Sequence, residues 1–291
     1  MVDQGANSPT SCANCGTQLA DRYCAHCGQD AHVKLSIRHF AAEFLEGIFH
    51  FDSTFWRTFR PLLFQPGWLT AEYLNGRRKS HAPPVRSYLV LSLLYFLIAS
   101  FVTTPHTRVI GPTGQEIKPQ NCAQVAANAT WLRYLVQDVK GSCERALKDE
   151  RHVFTDALVG TLPKVMFVVL PLVALVQYWL GRRQRPWYLE NLVFILHFQS
   201  FYFLAGSLGL LLVAGIAAIF KTIGWPNEGV ADWLDPVLYA WSAYYLFIAN
   251  RRVYRAGMLK AGFCVAMIAV AYALFWAAGV TMAALYEFAR A

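Results

Sequence analysis

Five long apolar runs limit what this chain can fold into. Each is close to or above the length needed to cross about 30 Å of hydrocarbon, which takes roughly 20 helical residues. The runs cover residues 85–103, 162–180, 189–220, 236–250 with their flanks, and 261–288. Residues 236–250 are the shortest and the weakest of the five. The pattern predicts an all-α integral membrane protein with about five transmembrane helices, in a domain spanning residues 85–288.

The composition agrees with a membrane protein. Of the 291 residues, 56% are hydrophobic and only 15% are charged, whereas soluble domains contain about 25% charged residues. The net charge of +8 is concentrated in segments between the apolar runs, and no polar domain carries a basic face. We therefore expect the lipid bilayer as a partner and expect no nucleic acid.

The charges between the runs predict the orientation. Three connecting segments, 76–86, 181–187 and 250–260, are rich in arginine and lysine and contain no acidic residue. Residues 221–235 instead carry one lysine against three acids. Residues 1–34 contain no apolar core typical of a secretory signal peptide. By the positive-inside rule, we expect a multi-pass inner-membrane protein with a cytoplasmic N-terminus and an extracytoplasmic C-terminus.

Four cysteines near the N-terminus form two closely spaced pairs. Cys12 and Cys15 are the first CxxC pair, and Cys24 and Cys27 are the second. Two such turns direct four thiolates at one point, which suits tetrahedral Zn²⁺. Fewer than thirty residues bury too little apolar surface to fold alone, so the metal would stabilise the fold. The spacing predicts a structural zinc ribbon over residues 12–30, after a disordered segment at 1–11.

Other interpretations of the cysteine pairs are weaker. Disulfides are rare in the cytoplasm, and a redox CxxC normally opens a helix in a thioredoxin-like unit that this sequence lacks. His26 and His32 are alternative ligands, but four cysteines already fill a tetrahedral site. A site closed by four thiolates has no open position for substrate, which indicates a structural metal.

The segment between the ribbon and the first run, residues 35–75, predicts amphipathic helices in the membrane interface. Aromatic and aliphatic residues recur at helical spacing from Ile37 to Phe55. Pro61 and the Pro66-Gly67 pair are expected to break the helix. The opposite face carries two imidazoles and two carboxylates, which form either an ordinary polar face or a second metal or acid–base site. These residues are His39, Glu43, Glu46 and His50.

The N-terminal third of the sequence resembles an uncharacterised bacterial family. The features are a CxxCG…YCxxCGQ clip, an amphipathic helix and the stretch PLLFQPGWLTAEYLNGRRKSHAPPVRSYLVLSLLYFL. They resemble integral membrane proteins with an N-terminal zinc ribbon that are catalogued only as a domain of unknown function. The resemblance covers roughly residues 12–100, and the sequence departs from the family near Ser80-His81. It implies the architecture and a cytoplasmic zinc site, and it brings no activity.

A basic cluster precedes the first apolar run. It is either an ordinary topogenic cluster or a contact for an anionic lipid headgroup or a phosphate. Its members are Arg77, Arg78, Lys79, His81 and Arg86.

Few polar groups lie within the runs. Glu190 and His197 are seven residues apart and share a helix face, either as packing residues or as an intramembrane polar site. Cys122 and Cys143 lie in a long loop, residues 104–161, that we expect outside the cytoplasm. There they form either a disulfide or two buried thiols.

Three functions are compatible with these features. The first is a binding or scaffold protein, with the ribbon available to a cytoplasmic partner. The second is a transporter or lipid-handling protein that uses Glu190, His197 and the basic cluster. The third is an intramembrane enzyme, but we find no recognisable catalytic motif, so an enzyme is the least favoured.

Overall fold

The computed structural model describes residues 11–31, 53–102, 127, 140–141, 153–223 and 233–290. Within them lie seven named helices and two isolated β-bridges, the bridges being in the ribbon. The helices are α1 (Ser53–Phe64), α2 (Trp68–Leu74), α3 (Pro84–Val102), α4 (Val153–Gly181), α5 (Tyr188–Ile223), α6 (Leu234–Tyr254) and α7 (Met258–Arg290). The chain divides into two compact units, residues 1–102 with 170–270, and residues 103–169 with 271–291.

Four of the described helices are long and apolar enough to span a membrane. These spans are Pro84–Val102, Pro163–Gly181, Tyr188–Ile223 and Met258–Tyr286. Each coincides with a predicted run to within a few residues, so the all-helical membrane class is confirmed. The fifth predicted run forms α6, a helix of 21 residues that is not among the four. The reason is its composition, since Asp235, Arg251, Arg252 and several tyrosines lower its apolarity.

Aromatic packing between α3, α5 and α6 forms the core of the first unit. Phe201 of α5 stacks on Tyr245 of α6 with ring centroids 3.9 Å apart. Phe203 of α5 packs on Tyr95 of α3 with centroids 5.3 Å apart. Small residues allow this close packing, because a Cβ at Gly206 would lie 2.9 Å from the Tyr95 ring.

Helix α2 packs into the first unit at the end where α6 finishes. Gly67 precedes it with φ of 71°, and a Cβ there would lie 2.8 Å from the Ala249 Cα. Only glycine fits this left-handed conformation together with this close approach. Arg252 Nη1 donates a hydrogen bond of 2.9 Å to the Pro66 carbonyl. Residues Leu69, Thr70 and Tyr73 of α2 are buried as a result.

The prediction that Pro61 breaks its helix was wrong. Helix α1 continues through Pro61 to Phe64, and the Pro61 carbonyl accepts a hydrogen bond from the Gln65 amide. Proline removes one backbone donor and one hydrogen bond from a helix, and α1 tolerates this loss while its other face, which includes Leu62, is buried. The Pro66-Gly67 pair does separate α1 from α2, as expected.

The three basic connecting segments meet at one end of the first unit. The start of α7 reaches the segment between α4 and α5, since Lys260 Nζ donates a 3.0 Å hydrogen bond to Gln184. The end of α6 reaches the start of α5 through Tyr254 and Asn191, 2.8 Å apart. The start of α3 follows α2, which contacts both α5 and α6. We call this region, which contains residues 66–86, 181–191 and 250–260, the basic end.

In the second unit, Gly279 of α7 lies directly against Val165 of α4, where the missing side chain allows close helix packing.

Candidate metal centre and buried polar contacts

Two matching turns build the cysteine site. In the first, the Cys12 amide donates to the Thr17 carbonyl at 2.8 Å and the Gly16 amide donates to the Cys12 carbonyl at 2.9 Å. In the second, Cys24 and Gly28 repeat the pattern with Gln29 as the partner. Gly16 and Gly28 have φ of 77° and 70°, which explains why glycine follows each pair. Each turn directs two sulfurs towards the other turn.

The four sulfurs are arranged as a tetrahedral metal requires. All lie within 4.8 Å of one another. The two shortest separations join the turns, with Cys12 Sγ 3.6 Å from Cys27 Sγ and Cys15 Sγ 3.5 Å from Cys24 Sγ. A tetrahedral Zn²⁺ with Zn–S distances of about 2.3 Å would place its sulfurs about 3.8 Å apart. The geometry therefore fits a metal held by Cys12, Cys15, Cys24 and Cys27.

The thiols differ in burial and in acidity. Cys12 and Cys24 are buried, whereas Cys15 is exposed. Hydrogen bonding to Thr17 lowers the pKa of the Cys15 thiol to about 6, while burial raises the pKa of Cys27 to about 11. A metal binds thiolates, so the pKa of Cys27 would have to fall on binding and its proton would be released. His26 is exposed and is not part of this cluster in the described residues.

The ribbon contacts the membrane domain through the loop Gly76–Ser80, which we call the docking loop. Gln29 Nε2 donates to the Gly76 carbonyl at 2.7 Å, and the Arg78 amide donates to Gln29 Oε1 at 3.1 Å. The Gln29 side chain is only 8% exposed. From the first turn, Asn14 Oδ1 accepts a 3.0 Å hydrogen bond from Ser80 Oγ. Both halves of the metal site therefore hold the same loop.

Sequence reasoning did not identify Gln29. It follows the second CxxCG directly, and the equivalent residue of the first turn is Thr17, which contacts Cys15 instead. The only signal in the sequence was that the two equivalent positions hold different residues, threonine in the first turn and glutamine in the second. The role of Gln29 could not be predicted from this difference, because its partner is the docking loop, about 50 residues away in the sequence.

The members of the predicted basic cluster have different contacts and different exposure. Arg77 pairs with Glu72 at 2.9 Å, and the Arg78 guanidinium stacks over the Tyr73 ring at 5.1 Å. Arg86 is buried, while Lys79 is exposed. His81 packs edge-on against Trp68. Burial lowers the pKa of His81 although the charge of Glu72 acts in the opposite direction.

The two predicted intramembrane residues have different partners. His197 is buried, and its Nδ1 lies 3.0 Å from Thr70 Oγ1 of α2. Glu190 lies at the start of α5, 3.4 Å from Arg185. His197 therefore helps to hold α2, and Glu190 pairs within the basic segment that precedes α5.

A second buried polar group was not predicted. Tyr254 donates a 2.8 Å hydrogen bond to Asn191 Oδ1, and Gln177 Nε2 donates to Asn250 Oδ1 at 3.2 Å. Asn191, Gln177 and Asn250 are at most 1% exposed. These bonds connect the ends of α4, α5 and α6. Neutral amides carry no charge signal in an apolar run, so the sequence alone gave little reason to select them.

Several predicted sites lie outside the described residues. They are the row of His39, Glu43, Glu46 and His50, and the cysteines Cys122 and Cys143. They stay predictions.

In the comparison with known proteins, one family model matches part of the chain. The family described as "Protein of unknown function (DUF3667)" matches residues 52–96. The chain is similar to this family from α1 through most of α3. The match confirms the resemblance within that stretch, while the ribbon at residues 12–30 precedes it. No curated protein and no solved structure matches the chain.

Proposed function

We propose that this chain is a multi-pass inner-membrane binding or scaffold protein with a structural zinc ribbon on the cytoplasmic side. The observation that carries the proposal is the four-sulfur cluster, closed by its own ligands and held on the docking loop by Gln29. Four thiolates leave no coordination position for a substrate, so the metal would fix a surface. The cytosol keeps thiols reduced, which agrees with this location.

The exposed side of the ribbon offers a surface for a protein partner. Tyr23 is 57% exposed, and the Arg22 guanidinium lies over its ring at 5.4 Å. Arg22 also pairs with Asp30 at 3.0 Å. Tyrosine and arginine are enriched at the centres of protein interfaces. We propose that the face formed by Arg22 and Tyr23 binds a cytoplasmic protein.

Two variants test this role separately. Cys12→Ser should remove the metal and abolish co-purification of the partner, because the surface loses its shape. Tyr23→Ala should keep the metal and still lose the partner. Metal content and bound proteins would be measured on the same detergent-solubilised sample. A partner that remains bound to both variants would contradict the proposal.

We propose a topology with five membrane crossings in which the basic end faces the cytoplasm. Helix α6 runs antiparallel to α5, from Leu234 near Gly209 to Tyr254 near Phe194. It therefore lies alongside roughly the first half of α5, and we propose that it is a fifth crossing whose polar residues are partly shielded by α5 and α2. With the basic end in the cytoplasm, the C-terminus lies outside. Reporter fusions after residues 228 and 291 should both be extracytoplasmic, and a fusion at residue 184 should be cytoplasmic.

A second candidate function is transport or lipid handling. The observation in its favour is the number of buried polar side chains on α5, namely Asn191, His197, Gln199, Ser200 and Ser207. Polar groups at membrane depth are often functional. Loss of a cellular phenotype in His197→Ala, at normal protein level and with the ribbon partner still bound, would favour this function over the scaffold.

A further inference from the structure

One face of α1 is exposed, and only aromatic residues and arginines occupy it. Among the α1 side chains that the structure describes, the exposed ones are Trp56, Arg57, Arg60 and Phe64. Trp56 and Phe64 are 66% and 69% exposed. They are four residues to either side of Arg60, so all three share one stripe about 12 Å long. Arg57 flanks this stripe.

The opposite face fixes α1 at the level where the first span begins. Phe55, Thr58 and Leu62 are buried. Thr58 Oγ1 accepts a 2.9 Å hydrogen bond from the amide of Ala82, which precedes the start of α3 at Pro84 by two residues. Helix α1 also packs on α2 and α5. Helix α1 therefore lies beside the N-terminal end of α3, at the basic end.

We propose that the exposed face of α1 binds the headgroup layer of anionic phospholipid. Tryptophan and phenylalanine on one face of a helix favour the boundary between headgroups and acyl chains. Arg57 and Arg60 supply two positive charges, and the sequence of α1 contains no acidic residue. Basic residues at this depth attract anionic headgroups. The occupant is therefore a negatively charged lipid surface.

This site differs from the predicted anion contact at Arg77, Arg78, Lys79, His81 and Arg86. There, Arg77 pairs with Glu72, and Arg78 is held by Tyr73 and by the ribbon. Arg57 and Arg60 are exposed beside exposed aromatic rings instead. The inference needs neither the metal nor a protein partner, so it goes beyond the proposed function and stands if that function is wrong.

Lipid titration of the purified full-length protein tests the inference. The protein in detergent would be titrated with phosphatidylglycerol or phosphatidylcholine, and bound lipids would be counted by native mass spectrometry. We expect tighter binding of phosphatidylglycerol. Arg57→Gln with Arg60→Gln should weaken it by roughly fivefold for each arginine removed. Arg57→Lys with Arg60→Lys should retain most of the affinity, because headgroup attraction needs charge more than shape.

A matched pair of variants serves as the control. Arg182→Gln with Arg183→Gln removes the same charge from two other exposed residues of the basic end, and it should change the affinity much less. An equal loss in both pairs would overturn the inference, because it would indicate general attraction to the basic end. Equal affinity of the unmodified protein for the two lipids would overturn it as well. Retained metal and helix content would show that each variant is folded.

Discussion

The ribbon and the helical bundle of the first unit are stabilised in different ways. Within residues 11–31, the buried residues are Cys12, Cys24 and Gln29, and the only β-pairing is two isolated bridges. The bundle instead contains fully buried side chains such as Phe194 and Phe201 in continuous aromatic packing. The ribbon has little apolar surface to bury, so its fold would depend on a single ion. The bundle spreads its stability over many contacts.

Because the two regions are stabilised differently, single substitutions should have large effects at different kinds of position in each. In the ribbon, the important atoms are four sulfurs and one glutamine side chain. In the bundle, large effects are expected only where backbones approach closely or where a polar group is buried without alternatives.

Removing a buried sulfur should unfold the ribbon and leave the bundle intact. Structural zinc contributes about 10–16 kcal/mol of binding free energy in zinc-finger peptides, which a three-sulfur site would largely lose. We expect Cys24→Ser to lose the metal, with fast amide exchange over residues 11–31 and an unchanged helical circular dichroism signal. Cys264→Ser is the control, since this buried thiol lies in α7, away from the cluster. Loss of the helical signal in Cys24→Ser would show that the two regions fold as one.

The largest effect within the bundle is expected at Gly67. Alanine there would combine a left-handed φ of 71° with a Cβ placed 2.8 Å from the backbone of α6. Backbone strain and overpacking together should cost about 2–5 kcal/mol. Thermal unfolding in detergent would measure the loss. Gly262→Ala is the control, because its Cβ would meet no atom within 4 Å and alanine favours a helix. Equal stability of the two variants would contradict the close packing of Gly67 against Ala249 of α6.

The two regions also differ in what the sequence could predict. The four-sulfur cluster could be predicted because its cysteines lie in a local repeat, and local turns bring them together without help from the rest of the chain. The apolar runs were readable because length and composition alone decide whether a helix can span a membrane. Length and composition did not decide whether α6 spans the membrane, because its charges and tyrosines reduce its apolarity. Its packing along α5 could be seen only in the structure.

Contacts between distant segments could not be predicted. Nothing local indicates that Gln29 holds the docking loop, that Thr70 meets His197, or that Tyr254 meets Asn191. Each pair is separated by dozens of residues or more, and neither residue of a pair carries a sequence pattern that indicates its partner. Pro61 shows the opposite error, because a local rule suggested a helix break that the surrounding packing overrides.

An intermediate effect is expected where the regions meet. Gln29→Ala would leave the Gly76 carbonyl and the Arg78 amide without their partner, which should cost about 1–3 kcal/mol locally. The metal should remain bound, since Gln29 contributes only its backbone to the cysteine turn. We expect faster amide exchange at Arg78 and earlier proteolysis in the docking loop. Gln18→Ala, on the exposed side of the first turn, should change neither. An unchanged exchange rate at Arg78 in Gln29→Ala would contradict the role of this contact.

The smallest effect is expected from the ion pair between Arg22 and Asp30. The Arg22 side chain is 67% exposed, so water and salt screen its attraction to Asp30. Hydrogen bonding to Asp30 raises the pKa of Arg22. Because the pKa of Arg22 is raised, the ion pair contributes its full stability below the ordinary pKa of arginine and loses it only above that pKa. Both pH 5 and pH 9 lie far below it, so we expect no change in the contribution of this pair to ribbon stability between roughly pH 5 and pH 9.

Arg22→Gln should therefore keep the metal and show no measurable change in the unfolding midpoint of the ribbon. Arg185→Gln is the informative comparison, because its partner Glu190 is only 14% exposed and lies against the bundle. Losing the partner of a largely buried carboxylate costs more than losing an exposed pair. A clear drop in the unfolding midpoint of the ribbon in Arg22→Gln, with the metal still bound, would mean that this exposed ion pair helps to hold the ribbon together and would contradict the prediction.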